Sequence, residues 1–191
     1  MTRYELSITK DYAPDWTVVD AIRELFQNAL DQQIVNKDNP MFWDYNNGVF
    51  KVGNAKSKLE TKTLLLGSST KSDDDETIGK FGEGYKIATL VLTRLGKEMR
   101  FYNYGARELW TPYFHMSRKY DTEILTFHVN KKFPWTTIPD NDLTIEIKGI
   151  TGEEMEYIIE SNLHMQDYES IDTSYGQILL DDKHRGKMFV N

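Results

Sequence analysis

The chain has no cysteine among its 191 residues, which removes disulfides and thiolate metal ligands from consideration. That absence suits a reducing compartment, and a cytoplasmic location is expected. No apolar run approaches the length needed to cross a bilayer, so no membrane association is expected. Arg3, Glu5 and Lys10 interrupt the opening residues, so no secretory segment is expected there. Positive charge is in deficit: 23 Lys and Arg against 30 Asp and Glu leave a net charge of −7. A broad nonspecific nucleic-acid surface is therefore not indicated, and an acidic protein would favour basic partners. The four histidines, His115, His128, His164 and His184, show no metal-ligand spacing. Internal repeats are also lacking, so residues 1–191 are expected to form one domain. The hydrophobic share of 39% and aromatic share of 13% suit an ordinary globular core.

The most informative stretch is Ile78-Gly79-Lys80-Phe81-Gly82-Glu83-Gly84-Tyr85-Lys86-Ile87-Ala88. Glycines at spacings of three and two open into an apolar helical pattern. Glycine lets backbone amides approach a ligand, and a helix start offers unpaired N–H groups and partial positive charge. The segment therefore predicts a phosphate cradle. A dinucleotide-binding unit is disfavoured. Residues 67–76 before the triplet read as a loop, and Gly105 and Arg107 stand where an acid would close the next strand. A Walker loop is disfavoured too, because its Gly-Lys-Ser/Thr ending is missing. The acidic run Asp73-Asp74-Asp75-Glu76 reads as a solvated loop tip rather than a metal site.

Residues 15–35 predict an amphipathic helix with Asp15 as N-cap. Val18, Val19, Ile22, Phe26 and Ala29 fall on one side. Glu24, Asn28 and Asp31 form a stripe on the other. Such a stripe is either a solvated face or a working one. In the second case it offers a carboxylate, a metal-ligating amide oxygen and a further polar anchor, a set that suits magnesium held against phosphates.

Glu24-Leu25-Phe26-Gln27-Asn28-Ala29-Leu30-Asp31 resembles the E-x-x-x-N-x-x-D box of the GHKL superfamily. That superfamily includes gyrase, the ninety-kilodalton heat-shock chaperone, histidine kinases and MutL-type ATPases. The glycine segment is similar to the chaperone's own glycine box. Leu66-Gly67-Ser68-Ser69-Thr70-Lys71 resembles the start of the family's ATP lid, and Asp142–Ile147 its late strand. The motifs stand in the family's order over about residues 4 to 150. The resemblance implies an α+β two-layer sandwich of Bergerat type: a mixed, mostly antiparallel sheet with helices on one face. It implies ATP and Mg²⁺ as ligands, Glu24 as catalytic base and Asn28 as metal ligand. Nucleotide contacts are implied for Asn28, Asp31, Asn54, Lys58, Ser69, Thr70, Lys71, Gly79, Lys80, Phe81, Gly82, Glu83, Gly84 and Thr144. The lid would span residues 67–78.

One segment departs from the family's D-x-G-x-G pattern. Asn54-Ala55-Lys56-Ser57-Lys58-Leu59 puts asparagine at the aspartate and lysines at both glycines. Asparagine carries both a donor and an acceptor, so turning its amide over would relax base discrimination. The lysines either hold phosphates or lie on a reshaped surface loop. Glu83 is expected to point to solvent or to cap a helix. Thr144 packs by default and is promoted only by the resemblance.

Elsewhere, periodicity predicts strands at 4–9, 43–45, 48–52, 100–104, 108–113, 123–129 and 142–148. Helices are predicted at 61–66, 84–95 and 151–163. Ile87, Leu90, Val91 and Leu95 would face the sheet in the second of these, and Gly96 would end it. Asn46-Asn47 signals a turn. Residues 165–191 are expected to hold a hairpin of strands 177–180 and 187–190, or the start of a missing second domain. Trp110, Tyr113, Phe114 and Trp135 read as core aromatics, with a docking surface as the alternative.

A slow ATPase with a nucleotide-driven lid switch is the leading expectation. A degenerate GHKL module that grips another protein without turnover is the alternative. A protein kinase of the histidine-kinase kind comes third, because no phosphoacceptor helix is evident. Short members of the superfamily from phage look similar. A protein partner of unknown identity and a possible homodimer are further expectations.

Overall fold

The computed structural model describes residues 2–64, 83–131 and 142–188. Seven strands form one sheet: β1 (Thr2–Thr9), β2 (Met41–Asn46), β3 (Val49–Asn54), β4 (Glu98–Asn103), β5 (Glu108–Ser117), β6 (Thr122–Asn130) and β7 (Leu143–Lys148). Their order is β1-β6-β5-β4-β7-β3-β2, and every pairing among the described residues is antiparallel. Helices α1 (Val18–Val35), α2 (Gly84–Arg94) and α3 (Gly152–Ser161) accompany the sheet. This is an α+β sandwich, as the alternating strands and amphipathic helices predict.

The register decides which residues form the core. Val52, Ile145 and Phe101 stand side by side across β3, β7 and β4, and all are buried. Residues two positions apart share a face, so Phe50 and Ile147 join them. Helix α1 answers with Ala21, Ile22, Leu25, Phe26 and Ala29. Each such buried aliphatic or aromatic side chain contributes about 1.5–3 kcal/mol. Trp110 is fully buried and meets Phe127 edge-on at 6.2 Å, so it belongs to the core rather than to a docking surface. Trp135 lies outside the described residues.

Several boundaries differ from expectation for local reasons. Helix α1 begins at Val18 because Thr17, not Asp15, is its N-cap. Asp20 Oδ2 accepts from the Thr17 amide at 2.9 Å, and Thr17 Oγ1 accepts from the Asp20 amide at 3.4 Å. This reciprocal capping box satisfies two amides that Asp15 would leave open. The turn after β2 is Asn47-Gly48, one residue later than expected, and both have positive φ (48° and 75°) as a tight primed turn requires. Leu95 follows the last turn of α2 and is 46% exposed, while Tyr85, Ala88 and Leu92 take its place in the core.

The C-terminal region holds a hairpin of β8 (Ser170–Thr173) and β9 (Gly176–Leu179), earlier than predicted. Lys187 and Met188 are not strand, and Asp182–His184 is a single 3-10 turn. The prediction failed because Ser170–Thr173 mixes polar residues into a strand that is exposed almost throughout, so it carries no period-two burial signal.

Helix α3 has a second capping box, Thr151 with Glu154, and Lys97 Nζ reaches both Glu154 oxygens at 2.8 Å. Burial alone would raise the Glu154 carboxyl, but Lys97 and the Thr151 amide hold it below its usual value of 4.5. A carboxyl depressed in the folded state adds stability above its unfolded value and loses it as pH falls through the folded one. Lys97→Met is expected to flatten the loss of stability between about pH 5 and about pH 3, read by urea unfolding across that range. An equally steep loss in the variant would remove Lys97 from this role.

Candidate functional site

Helix α1 meets the start of α2 at one close contact. Gly84 opens α2, and a Cβ built there would lie 2.6 Å from Glu24 Cδ. Only glycine lets the Glu24 carboxyl seat against this first turn. A helix start carries partial positive charge, so it is a favourable seat for a carboxylate. One turn along α1, Asn28 Nδ2 donates to the Glu24 carbonyl at 2.8 Å and to Glu24 Oε1 at 3.2 Å. The Asn28 amide hydrogens thus orient the carboxylate, and Asn28 Oδ1 keeps its acceptor capacity.

Beside this pair lies a narrow pocket with about 20 Å³ of free space, room for roughly one water. Its walls are apolar: Leu25 and Ala29 of α1, Val52 of β3, and Leu143 and Ile145 of β7. Leu59, Tyr85 and Gly53 complete it, and Asn28 and Asn54 supply its polar groups. Apolar walls with a few fixed polar atoms match the chemistry of a flat ring bearing one hydrogen-bonding edge, although the walls must part to admit one. Burial pushes the Tyr85 phenol up to about 12, so it stays neutral, and its hydroxyl donates to the Thr63 carbonyl at 3.2 Å.

Asn54 is 2% exposed and sits at the end of β3. Its Nδ2 donates to the Ala29 carbonyl at 2.8 Å and to the Asn39 carbonyl at 3.0 Å. Two carbonyls around one terminal atom require the NH₂ end there. Turning the amide over would orphan both, so the expected interchange of donor and acceptor is blocked. The oxygen is the capacity Asn54 retains toward the pocket.

The loop after Asn54 is pinned on three sides. Asn39 Nδ2 donates to the Ala55 carbonyl at 3.0 Å and to the Lys56 carbonyl at 2.8 Å. Asp142 Oδ1 accepts from the Lys56 amide at 3.1 Å. Asn103 accepts from the Leu59 amide at 3.1 Å and donates to its carbonyl at 2.8 Å. Lys56 has φ +53°, a conformation a lysine rarely adopts and holds only when its surroundings impose it.

The structure thus brings together Glu24, Asn28, Asn54 and Gly84. Lys58 lines a neighbouring cleft rather than this pocket. Asp31 is set aside: it accepts from Gln27 Nε2 at 2.8 Å and lines neither cavity. Glu83 occupies the N-cap position of α2 and is exposed, but its side chain makes no capping bond. Thr144 is not brought to the pocket. It pairs with Gly53 and Tyr102 on the opposite face of the sheet, because the strand's period of two turns Leu143 and Ile145 inward instead. Ser69, Thr70, Lys71, Gly79, Lys80, Phe81 and Gly82, with the expected lid 67–78, lie outside the described residues. No group of three or more metal-ligating His, Asp or Glu side chains occurs among the described residues. No described helix is long and apolar enough to cross a membrane.

Sequence reasoning missed Asn39, Asn103 and Asp142, whose roles depend on partners up to 86 residues away. It also missed Tyr85 as a pocket wall, although Tyr85 belongs to the glycine segment itself. Compared with known proteins, the chain matches no family model and no curated protein sequence.

Asn54→Asp changes one atom type but removes both donors and sets a carboxylate against two carbonyl oxygens. It is expected to lower unfolding free energy by about 1–3 kcal/mol, measured by urea unfolding at neutral pH. An unchanged midpoint would mean the two carbonyls do not depend on this amide.

Proposed function

We propose that the protein is a Mg²⁺-dependent adenine-nucleotide-binding domain of the GHKL kind that hydrolyses ATP slowly. One observation carries the reading: the Glu24 carboxyl, oriented by Asn28, seats against the first turn of α2 beside an apolar pocket edged by Asn54. An acid aimed at a helix start is poorly explained as a solvated face. It suits a site where a phosphate chain meets the helix amides and a water is held for attack.

In this reading the α1 and sheet walls part to admit the ring between them. Its exocyclic amine donates to Asn54 Oδ1, the capacity that residue has left. The phosphates run toward Gly84. Glu24 accepts the proton of the attacking water as the new phosphorus–oxygen bond forms, and the bond to the ADP oxygen breaks. Mg²⁺ neutralises phosphate charge when bound. Asn28 Oδ1 is the oxygen that would hold it, and Mg²⁺ commonly takes one or two protein ligands with phosphates and waters completing the shell, so the donor set fits. Closure of the lid would exclude water from the site. A cysteine-free chain of this kind suits the reducing cytoplasm.

The alternative is binding without turnover, with the protein acting through a partner. The rebuilt loop 54–59, pinned and carrying lysines at both family glycine positions, favours that reading.

Two measurements test the proposal. Glu24→Ala is expected to keep ATP affinity within about threefold and to lower phosphate release by about 100-fold or more, followed with purified protein. Unchanged release would remove Glu24 from catalysis; no release from the native protein, with ATP still bound, would favour the alternative. By calorimetry, ATP is expected to bind at least about tenfold more tightly than GTP, because guanine presents an oxygen where adenine presents its amine. Equal affinities would refute the assigned role of Asn54.

A further inference from the structure

A two-stranded sheet stands apart from the seven-stranded one: β8 and β9 pair with each other and, among the described residues, with no third strand. Ile171 and Ile178 face each other across this ladder, and Leu180 follows on the same face two residues beyond Ile178. All three are more than half exposed, and Tyr175 at the tip is wholly exposed. A lone hairpin is marginal in water and gains stability from a third strand or from cover over its apolar face. Its base is nevertheless fixed. Buried His184 has its Nε2 3.0 Å from Gln166 Oε1, and Gln166 Nε2 donates to the Ile159 carbonyl of α3 at 2.8 Å. The Leu180 amide closes the ladder on the Glu169 carbonyl at 2.9 Å. The hairpin is thus anchored at one end and open along its length.

Charge decides what fits there. Residues 149–182 hold nine Asp and Glu and no Lys or Arg, so this stretch alone exceeds the net charge of −7. Asp167, Glu169, Asp172, Asp181 and Asp182 flank or lie within the hairpin. Lys183, Arg185 and Lys187 come only after it, and Lys183 turns back to the Asp167 carbonyl at 3.3 Å. A second copy would bring the same acids face to face, and nucleic acid or an anionic bilayer would be repelled. A basic polypeptide is attracted.

We propose that the hairpin is a docking surface for an extended, basic segment of another protein, which adds as a third strand along β9. Strand β9 is the receptive edge because Gly176–Leu179 carries neither charge nor proline to guard it. Alternation along the added strand follows from the two faces. Its apolar residues cover Ile178 and Leu180, and its Lys or Arg residues share the face of Asp172. Backbone hydrogen bonds hold the segment, and the two faces select its sequence.

The test is fluorescence anisotropy with synthetic peptides of about eight residues, enough to overlap all of β9. One alternates Lys and Val, one alternates Glu and Val, and one is the Lys–Val sequence with every backbone amide N-methylated. The unmodified Lys–Val peptide is expected to bind the native protein about tenfold or more tightly than either of the others. Ile178→Ser/Leu180→Ser and Glu169→Gln/Asp172→Asn are each expected to weaken it about tenfold, and both pairs are surface changes that leave the seven-stranded core intact. No binding of the Lys–Val peptide overturns the proposal. Equal binding of the Glu–Val or the N-methylated peptide does so too, the latter because charge alone would then hold the peptide without a ladder. Dimerisation of the native protein that Ile178→Ser/Leu180→Ser abolishes, read by sedimentation, overturns it in favour of a second copy.

Discussion

The contact between Glu24 and Gly84 brings the acid to the start of α2 at the edge of the pocket. A single carbon added at Gly84 would meet the Glu24 side chain and displace the acid. The same helix supplies Leu25 and Ala29 to the pocket wall, so the element that presents the acid also walls the slot. An acid is costly to bring out of water unless partners receive it. Here the Asn28 amide donates to it, beside the partial positive charge of the helix start. Packing and chemistry are therefore not separable at this point: the geometry that closes the core also presents the carboxylate.

Side-chain amides perform the second task, joining backbone segments that no ladder connects. Asn54, Asn39 and Asn103 together bind the carbonyls of Ala29, Asn39, Ala55, Lys56 and Leu59. A buried carbonyl without a partner costs about 1–3 kcal/mol, so each of these residues is hard to replace. The result is a loop with the rigidity of an element but none of its regularity. Such rigidity favours binding, since little ordering remains to be done when a ligand arrives.

Sheet and helices were legible because burial imposes a period on apolar residues, as in Phe50, Val52, Ile145 and Ile147. The stripe of Glu24 and Asn28 was legible for the same reason, as polar residues at helical spacing. Asp31 shares that spacing yet turns to Gln27, which shows that a stripe on a helix specifies direction but not partner. Thr144 shows the converse: one step along a strand reverses the face, and motif likeness could not fix the register that Gly53 and Tyr102 impose. The pinned loop was not legible at all. Its anchors come from β4, from the approach to β7 and from the turn after α1, and no local pattern marks them. The hairpin β8–β9 was misplaced because it buries almost nothing.

Strand β5 carries a feature with a consequence for solubility. Its pairing with β4 covers only Glu108–Trp110, while its pairing with β6 continues to Ser117. Beyond Trp110 no further ladder pair with β4 forms among the described residues. Strand margins left without ladder partners can recruit stray chains into growing fibres. Pro112 stands two residues past the last β4 pair, and it has no amide hydrogen to offer. An invading segment would lose its ladder at that step, so a single imino acid guards the gap against self-assembly.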